Sequence, residues 1–224
     1  MTLLDRAEPS DAVSDDVYRR VRADIVFGRM APGHKLRLDA LKIGYEASIS
    51  TLREVLNRLT AEGLVAAEGR KGFEVAAVSA QDLRELAELR LLLETHAMRI
   101  SFERGDVEWE GRIVSAHHKL ASIERLMEKE IGQLEQWKRY DSEFHQALIS
   151  SCGSRALMES YRNVFDRYFR YQMLAFDYRG AEPAQQHKLL LEAALARDIA
   201  GATSVLTAHV NDCVAHTLEN ASLT

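Results

Sequence analysis

A chain of 224 residues, 46% hydrophobic and 28% charged with only 3 prolines, can bury one large or two small cores and suits a soluble, mostly helical protein. It holds no run of the ~18 apolar residues that a membrane span needs, and Cys152 and Cys213 are too few for a disulfide framework. The net charge of −5 argues against a purely nucleic-acid-binding protein until it is divided: residues 17–78 carry 11 Lys+Arg against 7 Asp+Glu, and residues 79–224 carry 17 against 22. A basic module joined to an acidic one is expected when one part alone touches DNA.

Residues 1–14 are acidic and polar, without the basic start and apolar core of a signal peptide, and are expected to form a disordered tail in a cytoplasmic protein. Residues 15–77 read as a first domain. Val17, Val21 and Ile25 share a helical face that stops at Gly28, and Pro32-Gly33 marks a turn. Leu38–Tyr45 is a short helix. Ser48 or Ser50 can cap a third helix whose face is Leu52, Val55, Leu56 and Leu59. Leu64–Ala67 and Phe73–Ala77 are strands around the basic tip Glu68-Gly-Arg-Lys-Gly72. Three short helices followed by such a hairpin is the layout of a winged helix-turn-helix.

Residues 78–222 are helix after helix, with no strand candidate. Leu83, Leu86, Leu89, Leu93, Ala97 and Ile100 form a stripe, and further helices are expected at roughly 106–130, 133–151, 154–176, 182–199 and 201–220. Asp141 and His145 are four apart on one such helix, so both side chains reach the same point. His187 opens a second helix and His209 lies within a third. One carboxylate and three imidazoles from facing helices suit a divalent first-row metal. Taken singly, each histidine is equally readable as a surface or hydrogen-bonded residue.

Gly28-x-x-x-Pro-Gly33, Ser48-Ile-Ser-Thr-Leu-Arg-Glu-Val-Leu56 and Leu59-x-x-Glu-Gly-Leu-Val65 resemble the DNA-binding domain of the GntR family. Arg90-x-x-x-Glu94, Asp141-x-x-Phe-His145, His187-x-x-Leu-Leu-x-Ala and His209 resemble the FCD effector domain of its FadR subfamily. The resemblance spans about residues 15–220 and implies a mainly α protein, a winged helix-turn-helix followed by an all-helical bundle. It implies that Arg53 contacts DNA, with Ser48, Ser50 and Thr51 at phosphates or bases and Arg70, Lys71 and Gly72 in the wing tip. The chain departs from the family in having Ile49 where an arginine is usual and Leu38-Asp39 in place of a Glu-Arg-like pair, a loss that Arg37 compensates.

The resemblance makes Asp141, His145, His187 and His209 ligands of a divalent transition metal such as zinc, nickel or manganese. A small organic acid would bind there, a dicarboxylate such as glutarate among the candidates, with Arg90, Arg170, Tyr171 and Asn211 as its contacts. The implied protein is a homodimeric repressor that leaves its operator DNA when the acid binds. A regulator with a structural metal and a metal-dependent enzyme are the alternatives. The enzyme lacks an HExxH-type motif or a nucleophile–base pair to support it.

Overall fold

The computed structural model describes residues 9–67, 72–127, 133–175, 180–221 and 223, and the chain divides into two compact units at Ser79 and Ala80.

In the first unit, α1 (Pro9–Val26) packs against α3 (Ile49–Ala61), and α2 (Leu38–Tyr45) packs against α3 as well. The start of α1 shortens the expected tail, because residues 9–14 are helical, while residues 1–8 lie outside the described residues. A proline at the first helical position loses no hydrogen bond, and the first turns are tied to α3. Ser14 donates to Glu54 at 3.0 Å, and Asp15 pairs with Arg58 at 3.0 Å. The core is apolar throughout: Val17, Val21 and Ile25 of α1 are buried, as are Leu52, Val55, Leu56 and Leu59 of α3. Ser48 caps α3 by accepting a hydrogen bond from the Thr51 amide at 3.1 Å.

Strands β1 (Val65–Ala67) and β2 (Phe73–Val75) pair antiparallel, with Val65 opposite Val75 and Ala67 opposite Phe73. The turn before α2 does more than its Pro-Gly signal suggests. The Gly33 amide donates to Val75 O at 2.9 Å and the Leu36 amide to Phe73 O at 2.8 Å, so this segment anchors the hairpin's second strand. Residues 68–71, including Arg70 and Lys71, lie outside the described residues.

The second unit consists of α4 (Ala80–Arg104), α5 (Val107–Met127), α6 (Leu134–Ile149), α7 (Arg155–Ala175), α8 (Ala181–Leu195) and α9 (Ile199–Asn220). Helix α4 touches α6, α7 and α9, while α8 packs on α5 and α9. The buried face of α4 follows the leucine stripe read from the sequence only in part. Leu83, Leu86, Ala97 and Met98 are inside, but Leu89 is exposed and the charged residues Arg90 and Glu94 take the inner positions. Helix α8 starts at Ala181, so His187 sits in its second turn rather than opening it, and it stops at Leu195 instead of running to residue 199.

Two corners hold the bundle's turns. Gly105 follows α4 where a β-carbon would lie 2.3 Å from the buried ring of Trp109, so no larger residue fits without movement. Arg197, between α8 and α9, adopts a left-handed φ of 58°. Its guanidinium lies over the Trp109 ring and donates to Gly105 O at 2.9 Å and to Glu110 Oε1 at 2.5 Å.

Candidate metal centre and nucleic-acid interface

Helix α6 presents Asp141 and His145 one turn apart, α8 presents His187 and α9 presents His209. All four are buried, and one ligand atom from each lies within 4.8 Å of the others. The imidazole centroids are 5.7 Å apart for His145 and His187, 5.3 Å for His145 and His209, and 4.8 Å for His187 and His209. Phe144 meets His145 and His187 edge-on and Phe165 lies beside His145, so aromatic rings pack against the cluster.

What orients the rings is the set of acceptors behind them. Glu94 Oε1 is 2.6 Å from His145 Nδ1 and Glu124 Oε1 is 2.7 Å from His187 Nδ1. An ionised carboxylate only accepts, so each Nδ1 carries the proton and each Nε2 lone pair is turned into the cluster. The Arg90 guanidinium, 3.3 Å from His145 Nδ1, is therefore in close contact without a hydrogen bond. His209 follows the same rule one step removed. Asp212 accepts from the Gln186 amide nitrogen at 2.7 Å, which leaves the amide oxygen to accept from His209 Nδ1 at 2.9 Å. Among the described residues, His145 Nε2 and His187 Nε2 have no hydrogen-bond partner. His187 Nε2 lies 3.1 Å from Asp141 Oδ1, at ion-pair distance.

Charge balances accordingly. Burial raises Asp141, but Lys138 and then His187 and His145 overcome this and hold it well below the usual carboxylate range. Glu94 is likewise held low against burial by Arg90, its partner at 2.9 Å. Burial lowers His145, with the Arg90 charge adding to it, and burial followed by the neighbouring imidazoles lowers His209 far more. His187 alone of the three moves up, because Asp141 and Glu124 on either side outweigh its burial. The donor set is thus one ionised carboxylate and imidazoles with inward Nε2 atoms, which fits a divalent transition metal.

The structure brings only one of the four expected effector residues to this centre. Arg90 is buried, bonded to Glu94 and in contact with the rings of Phe165 and Tyr168 at 4.8 and 4.9 Å. Tyr171 instead donates to Asp82 at 2.7 Å, and Arg170 lies beside Tyr171 and Asp82, about 12 Å along α4 from Arg90 at 1.5 Å per residue. Asn211 is exposed: two positions past His209, it is turned about 200° around α9. Sequence reasoning missed Glu124 and Gln186. A glutamate on the buried stripe of α5, beside Ile123 and below Leu120, was the available signal for the first; Gln186 had none.

In the first unit, Arg37 and Arg53 are exposed and share a groove of about 1010 Å³ with Asn57 and Gly72. Ser48, Ser50 and Thr51 cluster at the start of α3. Ser48 Oγ is 2.7 Å from Ser50 Oγ and 2.8 Å from Thr51 Oγ1.

Comparison with known families decides what this pairing of units is. Residues 13–75 match the gntR family of bacterial regulatory proteins and residues 85–212 match the FCD domain. The chain belongs to the GntR family. This GntR-family chain is 38% identical over 200 residues to the HTH-type transcriptional regulator BphR of Paraburkholderia xenovorans, covering 88% of this chain and 82% of that one. It is 32% identical to the HTH-type transcriptional repressor GlaR of Escherichia coli, covering 87% of this chain and 91% of that one. In structure it is similar to E. coli McbR/YncC, with a TM-score of 0.81 at 20% identity over 92% of this chain and 97% of that one. The GntR-family chain is accordingly a DNA-binding transcriptional regulator and not an enzyme, which removes the metal-dependent enzyme from the alternatives. Among the described residues no helix is long and apolar enough to cross a membrane.

Proposed function

We propose that this regulator is a cytoplasmic, homodimeric repressor of the FadR type, that its helical unit holds a divalent metal, and that a small carboxylate bound there releases it from operator DNA. The reading rests on one observation: Glu94, Glu124 and Gln186 each accept from a buried imidazole Nδ1, so the lone pairs of the rings and Asp141 converge. A divalent ion held by one aspartate keeps about one positive charge, an anchor for an anion. Zinc, nickel and manganese all accept this donor set, and availability as well as affinity selects among them. Arg90 supports the reading as a fixed positive charge behind His145; Arg170, Tyr171 and Asn211 are not carried forward. Operator contacts are assigned to Arg37, Ser48, Ser50, Thr51, Arg53, Arg70, Lys71 and Gly72. A pair of such readers spans two half-sites, which is why a dimer belongs to the proposal. Dicarboxylates such as glutarate are the first acids to try.

The burial of all four donors also favours a rival, an ion that only staples the bundle, since structural sites are closed and ligand sites keep an open position. One experiment separates the two. Metal content is measured on the purified chain, and binding to a labelled duplex from its own upstream region is followed as short acids, glutarate included, are added. About one metal per chain together with acid-dependent release is expected, and His187→Ala and His209→Ala lose both the metal and the release. Metal with DNA affinity indifferent to every acid makes the ion structural; acid-dependent release from a chain without metal overturns the metal's role.

A further inference from the structure

The recognition helix begins on a residue without any polar atom in its side chain. Ile49 is the first residue of α3 and is 39% exposed, although the other large apolar side chains of that helix (Leu52, Val55, Leu56 and Leu59) are inside the core. With Arg53 and Asn57 it occupies one outer face, at spacings of four residues. The hydroxyls beside it are already engaged, Ser48 with both Ser50 and Thr51 and with the Thr51 amide. In a helix-turn-helix reader the N-terminal residues of this helix meet the base edges of the major groove. There, only thymine offers a methyl group; guanine, cytosine and adenine present donors and acceptors that an isoleucine can only desolvate.

We infer that Ile49 is a specificity-determining residue that reads the 5-methyl group of a thymine, so each operator half-site carries an A·T pair where α3 enters the groove. Arg53, one turn further on, supplies the hydrogen bonds that fix the neighbouring base. Contact with one methyl is worth about a fourfold change in affinity, from the free energy of burying a single carbon.

The test starts with selection of bound sequences from a randomised duplex library by the full-length chain. Each thymine of the consensus is then replaced by deoxyuridine, which removes the methyl and nothing else. One thymine per half-site is expected to lose about fourfold affinity on this exchange. Ile49→Ala lowers affinity for the thymine duplex to a similar extent and no longer distinguishes thymine from uracil there, while Ile49→Val still does. Ile49→Arg selects guanine at that position. Because Ile49 is partly exposed, unchanged thermal midpoints verify that the variants fold. Ile49→Ala retaining the full methyl preference, a consensus with no methyl-sensitive thymine, or a wild-type chain that selects no consensus would each overturn the inference.

Discussion

The two units place their working residues on opposite sides of the same physical boundary. In the first, the core is purely apolar and the groups assigned to DNA stand outside it: Arg37, Arg53 and Ser48 are exposed while Leu52, Leu56 and Leu59 are not. In the second, the candidate centre is itself the core, and Arg90, Glu94, Glu124, Lys138, Asp141 and the three histidines occupy positions that leucines fill elsewhere. An exposed site can be altered at little cost to stability wherever its residue, unlike Ser48, does not also cap a helix. A buried one is also part of what holds the fold, so changing its chemistry changes its folding free energy.

That contrast can be broken or sharpened by substitution. The largest effect is expected for Arg90→Met, which leaves Glu94 buried without its cation; breaking such a pair costs about 3–5 kcal/mol, read as a lowered urea midpoint. An unchanged midpoint would place Arg90 outside the core's electrostatics. Gly105→Ala should cost about 1–3 kcal/mol by forcing its β-carbon against the Trp109 ring and the Ser101 carbonyl oxygen. A neutral result there would require the Trp109 ring to yield. Ser48→Ala removes the cap of α3 and is expected to cost about 1 kcal/mol. Arg53→Ala is expected to shift stability by less than about 0.5 kcal/mol while weakening binding to the selected duplex. If Arg53→Ala instead unfolded the first unit, the division between inner and outer sites would fail.

Much of this is legible from spacing together with the family resemblance. Leu38–Tyr45 emerged with its boundaries unchanged, and the cap at Ser48 was one of two anticipated. Asp141, His145, His187 and His209 were singled out together and do converge. What failed did so for identifiable reasons. The apolar stripe of α4 was drawn through Leu89, because a periodicity argument assigns charged residues to water; the ion pair of Arg90 with Glu94 reverses that. Residues 9–14 were read as tail because they are polar, whereas contacts from Glu54 and Arg58, some forty residues away, hold the start of α1. Asn211, two positions after His209, is turned away from that face by helix geometry alone. Glu124 and Gln186 belong to the centre because α5 and α8 bring them behind the rings; only Glu124, a glutamate on an apolar stripe, leaves a local trace of this.

Arg197 illustrates a compromise between neighbours in sequence and neighbours in space. Its backbone asks for glycine, the one residue at ease with a positive φ, while its side chain spans the gap to the corner formed by Gly105 and Glu110. Replacing it with glycine would relax the peptide and cut the cord between two distant bends, so that the local gain and the long-range loss compete within a single codon.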